Sequence, residues 1–219
     1  SRYRPVFAMA REAGIAVTSN LNLWGETYRA GRKVIAITGT KGKSTTATLV
    51  HLMLTESGLD AGLAGNVGLA PLEIADKHAI VVFELSSYQT ADLAFTPDIA
   101  AITNLSPEHT DWHRTVERYY QDKLNLIDRD APFPVALGVG ADGHPLVMEA
   151  LRDRSRMIPP LAPFIRDRIA SAVARSRLKG EYNLNNAILA TQVAMKAGAD
   201  LEGVVRGIDD LRAVADSFD

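Results

Sequence analysis

The run Val34-Ile35-Ala36-Ile37-Thr38 leads straight into Gly39-Thr40-Lys41-Gly42-Lys43-Ser44-Thr45-Thr46, and no other feature restricts the possible folds of this chain so strongly. A short β-branched apolar run is the pattern of a strand buried on both faces of a parallel sheet. Beyond the glycines, Leu49, Val50, Met53 and Leu54 recur at helical spacing, which predicts a helix over about Thr45 to Ser57. Strand, glycine turn and helix together make an anion site. Gly42 lets the backbone approach closely, and the first amides of the helix point at the ligand with the helix dipole behind them. In such a site Lys43 reaches the β and γ phosphates of a nucleotide, and the Ser44 hydroxyl sits on a magnesium ion. The loop is a compact variant, because Ile37 stands five residues before Gly42, where the general phosphate-loop pattern has glycine.

Strands alternate with helices along the rest of the chain. Ala61 to Ala64, Ala79 to Phe83, Asp98 to Thr103 and Pro134 to Leu137 read as short strands. Helices are expected at about Val116 to Asp128, Gly143 to Arg152 and Asn185 to Ala197. The fold class is therefore α/β, a mostly parallel sheet with helices on both faces. Asp130 to Arg177 stays ambiguous, since Pro132, Pro134, Pro159, Pro160 and Pro163 interrupt weak signals. Before the first strand, Val6 to Ala13 reads as a helix and Ile15 to Val17 as a strand, like the end of another unit.

Composition narrows the function classes. A net charge of −2 over 219 residues gives no electrostatic reason to expect nucleic acid or anionic lipid as a partner. No apolar run approaches the roughly 20 residues needed to span a bilayer, and no signal peptide opens the sequence. Without cysteine there is no disulfide or thiol chemistry. A cytoplasmic protein, a monomer, is the expectation.

Ligands of open α/β sheets gather at the carboxyl ends of the strands, so the polar residues there are the candidates. Gly65-Asn66-Val67-Gly68 is either a plain turn or a loop that brings the Asn66 amide to a ligand. Glu84 ends an apolar strand, where a carboxylate is costly unless a cation neutralises it, either magnesium or a lysine such as Lys43. In the next loop Ser106-Pro107 has the form of a helix start, while His109 reads as a ligand to a second hard cation or as a structural histidine. Lys123, beside an apolar and aromatic stripe, has the sequence surroundings of a lysine that reaches out to solvent. Asn183, Asn185 and Asn186 stand at a helix entrance, where one asparagine serves as a cap and the others suit a nucleoside.

In order along the chain, Gly39 to Thr46, Gly65-Asn66-Val67-Gly68, Glu84-Leu85-Ser86-Ser87-Tyr88-Gln89, Asn104 through Glu108-His109 to Asp111, Tyr120 through Lys123, and Gly180 through Asn186 resemble the Mur ligase family, specifically its glutamate-adding members. The resemblance implies a central ATP-binding domain over 32–219, preceded at 1–31 by the tail and linker of a uridine-nucleotide domain. A C-terminal amino-acid-binding domain would be absent, and the chain alone would bind nucleotide weakly and ligate nothing.

The same resemblance assigns roles. Gly39, Thr40, Lys41, Gly42, Lys43, Ser44, Thr45, Asn183 and Asn186 would bind ATP, and Asn66 and Ser86 would lie near the muramoyl substrate. Ser44 and Glu84 would hold one magnesium, while His109 and Lys123, the latter as a carbamate, would serve the second; Lys43, Glu84, His109 and Lys123 would be catalytic. The implied reaction is ATP-dependent addition of glutamate to UDP-N-acetylmuramoyl-L-alanine through an acyl phosphate, in peptidoglycan precursor synthesis. The sequence departs from the family pattern at Lys41, Glu108 and Tyr182; Lys41, Tyr88-Gln89-Thr90 and Asp111-Trp112-His113 lean toward the variant that adds L-glutamate rather than D-glutamate. Two other readings stand beside this one: a folylpolyglutamate synthase-like ligase, whose loop has glycine where this chain has Ser44, and a non-catalytic nucleotide-binding module.

Overall fold

A computed structural model describes residues 5–108, 110–178 and 180–215. Helices α1 (Pro5–Glu12) and α2 (Asn20–Tyr28) precede strand β1 (Lys33–Thr38) and helix α3 (Lys43–Glu56). Then come β2 (Ala61–Gly65), α4 (Pro71–Ile74), β3 (Ile80–Glu84), α5 (Ser87–Ala91) and β4 (Ile99–Ile102). The short α6 (Thr110–His113) leads into α7 (Val116–Leu124), β5 (Val135–Leu137) and α8 (Pro145–Leu151). Helices α9 (Pro163–Arg175), α10 (Glu181–Ala197) and α11 (Leu201–Ala215) complete the order.

The strands form one parallel sheet in the order β2-β3-β1-β4-β5. Successive side chains of a strand face opposite ways, so β1 sends Ile35 and Ile37 into one core and Val34 and Ala36 into the other. The first core is closed by Met53 of α3, Ile169 of α9, Val193 of α10 and Ile208 of α11. The second is closed by Trp24 of α2, Ile74 of α4, Leu124 of α7 and Val147 of α8. Each fully buried aliphatic or aromatic side chain contributes on the order of 1.5–3 kcal/mol, which is why the apolar strands need helices on both faces. The predicted architecture is the observed one.

The N-terminal segment differs from expectation. Ile15 to Val17 form no strand, and Ile15 and Val17 are exposed. Instead Ser19 caps α2, its hydroxyl accepting from the Asn22 amide at 3.2 Å. Trp24 is then fully buried edge-on against Phe83 at 4.8 Å, with its indole N–H donating to the Ala75 carbonyl. A three-residue apolar run carries too little information to separate a strand from an extended connector. In the proline-rich stretch, Pro163 occupies the first turn of a helix, where a missing N–H costs nothing. That proline is a start signal for α9 rather than an interruption.

Because β1 lies between β3 and β4 while the chain visits β2 before β3, the strand order reverses at β1. A crevice opens beyond its carboxyl end, the place where such sheets bind ligands.

Candidate functional site

The crevice is lined by the loops at the carboxyl ends of β1, β3 and β4. Glu84 lies opposite Ile37 in the register of β3 and β1, so its side chain sits beside the start of the phosphate loop. The loop itself is anchored to the end of β4. The Thr40 amide donates to the Asn104 carbonyl at 3.0 Å, the Lys41 amide to Asn104 Oδ1 at 3.0 Å, and Thr103 Oγ1 to the Lys41 carbonyl at 2.6 Å. Thr40 Oγ1 accepts from the Ser106 amide and donates to the Ser106 carbonyl, each at 3.0 Å, and it lies 3.2 Å from the Tyr119 hydroxyl. Ser106 therefore braces the loop. The helix expected to start at Ser106-Pro107 begins instead at Thr110, because the Ser106 amide and carbonyl are engaged by Thr40.

Gly42 stands just before the first turn of α3 in the left-handed region at φ 81°. A β-carbon there would collide with the Asn186 side-chain amide and lie 2.8 Å from the Tyr182 hydroxyl. Both the dihedral and the crowding call for glycine. The amides that open α3 have no intrahelical acceptor, as at any helix start, and face the crevice with Ser44 exposed and Thr45 half-buried.

Three ionisable side chains converge here. Glu84 is fully buried at the end of β3, and the Asn66 amide nitrogen approaches both of its carboxylate oxygens at 3.5 Å. Lys43 donates to the Thr40 carbonyl at 2.8 Å; burial pulls its pKa down, against the opposing pull of the Glu84 and Glu108 carboxylates. Lys123, on α7, is 2% exposed and donates to the Gly39 carbonyl at 2.5 Å, with its ammonium 4.8 Å from the centre of the Tyr119 ring. The solvent-seeking role that its sequence surroundings suggested does not occur, because α7 packs that lysine inward under the loop. Burial first, and the Lys43 charge second, lower its pKa to about 7.

Tyr119 completes this floor. Burial raises its phenol to about 12 despite the hydrogen bond it shares with Thr40. It remains a neutral donor.

Of the other predicted residues, Asn66 is exposed at the end of β2, its backbone amide tied to the Glu84 carbonyl at 2.9 Å. Ser86 is half-buried and caps α5 in a capping box with Gln89: its hydroxyl accepts from the Gln89 amide and donates to Oε1 at 2.9 Å. Lys41 is exposed at the loop tip. His109 lies outside the described residues.

None of the three asparagines caps α10, since Gly180 takes that position at φ 90°. Asn186 is buried, and its Nδ2 has no hydrogen-bond partner among the described residues although it abuts Gly42. A buried amide without a partner beside an anion loop is a donor left for a ligand. Asn183 is half-buried on the first turn. Asn185, which was not among the predicted ATP residues, lines two adjoining cavities between α10 and the end of β5. One is about 70 Å³, shared with Asn104, Tyr182 and Asn186, and the other about 180 Å³, shared with Asp142, Arg166 and Gln192. The signal for Asn185 was its spacing: it stands within a turn of Asn186 on the same helix.

A buried carboxylate contacted only at long range by an amide suits a divalent cation, and a loop with Lys43 at a helix start suits a polyphosphate. The donor set fits magnesium and a nucleoside triphosphate.

Comparison with known proteins accords with this geometry. Residues 37–138 match the Mur ligase middle domain. The chain is 41% identical over 147 residues to a UDP-N-acetylmuramoylalanine--D-glutamate ligase of Ruegeria pomeroyi, an alignment covering 62% of this chain and 31% of that protein. To the ligase of the same name from Zymomonas mobilis it is 37% identical over 205 residues, covering 87% of this chain and 44% of the relative. The chain thus spans less than half the length of these curated relatives. Among solved structures, MurF from Acinetobacter baumannii superimposes with a TM-score of 0.63 at 20% identity, covering 87% of this chain and 48% of that one. A Mycobacterium tuberculosis folylpolyglutamate synthase gives 0.60 at 16%, covering 87% and 61%. At such identities the structural likeness shows the fold alone. Over residues 37–138 the chain carries a Mur ligase middle domain.

Proposed function

We propose that this chain is the ATP-binding part of a ligase that joins glutamate to UDP-N-acetylmuramoyl-L-alanine through an acyl phosphate, in peptidoglycan precursor synthesis. The observation that carries the reading is the convergence of Lys43, Glu84 and Lys123 on one phosphate loop, in a chain whose relatives are named for that reaction. Lys43 and the opening amides of α3 hold the β and γ phosphates and oppose the charge that grows on the transferred phosphoryl group. Asn186 Nδ2 and Asn185, with Asn183 nearby, hold the nucleoside.

Ser44, Glu84, His109 and Lys123 as a carbamate would hold magnesium, which when bound neutralises phosphate charge and polarises the phosphoryl group. Formation of the carbamate needs an unprotonated amine, which adds to carbon dioxide and releases one proton; the lowered pKa of Lys123 supplies that amine at neutral pH. Asn66 and Ser86, at the ends of β2 and β3, stand where the muramoyl carboxylate would approach. In the overall reaction that carboxylate displaces ADP from the γ phosphorus, and the amino group of glutamate then displaces phosphate from the acyl carbon. We place the protein in the cytoplasm as a monomer, where both substrates are made; no helix among the described residues is long and apolar enough to cross a membrane.

The test is phosphate release by the natural gene product with UDP-N-acetylmuramoyl-L-alanine and either D- or L-glutamate, together with magnesium-dependent ATP binding by the 219-residue chain. Release with one enantiomer is expected. Release with neither overturns the ligase reading, and release only with a folate substrate would make it a folylpolyglutamate synthase.

A further inference from the structure

Behind the site lies a buried polar chain that none of the roles above uses. His113 is completely buried; its Nδ1 lies 2.7 Å from Asp122 Oδ2 and its Nε2 2.9 Å from Ser87 Oγ. Asp122 and Ser87 are themselves 6% and 2% exposed. The three groups come from separate elements: Ser87 opens α5, His113 ends α6, and Asp122 lies on α7. Arg114, in the left-handed region at φ 74°, turns the backbone sharply between α6 and α7, so that the imidazole points back at the carboxylate. A non-glycine residue in that region costs about 1–2 kcal/mol, and the turn persists because the elements around it are packed. Aromatic rings close the imidazole in, with Tyr88 stacked on it at 5.5 Å and 7° and Tyr119 edge-on at 5.2 Å.

We propose that His113 is a positioning residue which, by bridging Ser87 to Asp122, fixes the distance between Glu84 and Lys123, two of the metal-holding side chains, contributed by β3 and α7. Glu84 stands three residues before Ser87 across a short rigid turn, and Lys123 directly follows Asp122 on α7. The Asp122 carboxylate accepts the Nδ1–H, which leaves Nε2 to Ser87 Oγ, either accepting the hydroxyl proton or, in a protonated ring, donating to the oxygen. Both ends of the imidazole are thus committed, as in sites where the orientation of one group is set by a partner behind it. Helices α5 and α7 are packed side by side, and a bridge in the buried space between them resists a sliding motion that would part these two metal-holding side chains. Because the metal roles of Glu84 and Lys123 are themselves proposed, this inference rests on the ligase reading, though the bridge is judged separately.

The experiment compares the full chain with its Ser87→Ala, Asp122→Asn and doubly substituted forms, none of which alters a residue placed in contact with nucleotide. ADP binding is titrated calorimetrically without magnesium and across a magnesium series, and the ring nitrogens of His113 are followed by ¹⁵N NMR. The expected result is magnesium-free ADP binding within about twofold of the unsubstituted chain, and a magnesium midpoint raised about five- to tenfold in each single form. The double form should be no worse than the weaker single one, as for groups acting as a unit. Equal weakening with and without magnesium, an unchanged midpoint, or additive effects would overturn the proposal. If the unsubstituted chain and the natural gene product bind no nucleotide, the ligase reading fails, and the spectra decide the bridge by themselves. A ring protonated at Nδ1, with an Nε2 resonance that moves in Ser87→Ala, supports the bridge, whereas a ring without a proton at Nδ1 overturns it.

Discussion

Lys123 Nζ lies 2.5 Å from the carbonyl oxygen of Gly39, so a lysine 84 positions further along the chain holds the first residue of the phosphate loop from beneath. That contact ties α7 to the loop and withdraws the lysine from solvent. It also makes the protonation of Lys123 part of folding.

The folded state lowers the Lys123 pKa from 10.5 to about 7, so between about pH 7 and 10.5 the unfolded chain carries a proton that the folded chain lacks. Stability rises with pH wherever the unfolded state binds more protons, so this group's contribution grows across that window. Lys43, shifted the same way, adds to it; Tyr119 opposes it only above pH 10, where the unfolded phenol ionises first. The melting temperature of Lys123→Met should therefore climb less than that of the unsubstituted chain between pH 7 and 9.5. Parallel profiles in differential scanning fluorimetry would contradict the burial of a shifted amine.

Glu84 is fully buried; among the described residues its carboxylate has only the distant Asn66 amide as a hydrogen-bond donor, while the Lys43 and Lys123 charges act on it through space. A carboxylate in that setting is costly when no cation is bound. Glu84→Gln removes a desolvated charge but also the charge opposite Lys43 and Lys123, so the ligand-free protein is expected to change in stability by less than about 1 kcal/mol, while the magnesium dependence of ADP binding is lost. Urea unfolding and calorimetry check the two halves, and a loss of several kcal/mol in the substituted protein would mean that Glu84 has a strong structural partner.

Gly42→Ala meets both a left-handed dihedral and the Asn186 side chain, whereas Gly58, at φ 74°, has nothing within 4 Å of an added β-carbon. Gly58→Ala should cost about 1 kcal/mol from the dihedral alone. Gly42→Ala should cost about 2–4 kcal/mol and weaken ADP binding by tenfold or more, because the loop and Asn186 must part. Similar losses in the two variants would show that the crowding is relieved freely.

Trp24 fills the second core against Phe83 and Phe95 and is tied to the Ala75 carbonyl. Trp24→Ala should lower stability by about 3–5 kcal/mol, the usual cost of emptying a large buried aromatic position. A loss below about 1 kcal/mol in denaturant titration would show that α2 is not part of that core.

The parallel sheet, the phosphate loop and the acid closing β3 were legible because each is written in consecutive residues: β-branched runs, glycines at the turn, one carboxylate after an apolar strand. Helix α2 was not read from the sequence although Ser19 and the spacing of Leu21, Trp24 and Tyr28 signal it; what the sequence did not show is that Phe83 and Phe95 receive Trp24. The asparagines at the entrance of α10 looked like caps, but Gly180 holds the cap, and what distinguishes Asn185 is a cavity built jointly with β5.

By itself the sequence determined that this chain builds an anion site at the end of a buried strand, because strand, turn and helix start are set by local spacing and backbone freedom. Only the tertiary structure decided that Lys123 is a buried amine with a pKa near neutrality, that Ser106 braces the loop rather than starting a helix, and that His113 joins Ser87 to Asp122. The physical reason is common to all three. Desolvation and hydrogen-bond partnership depend on which elements are brought together, and those elements lie tens of residues apart.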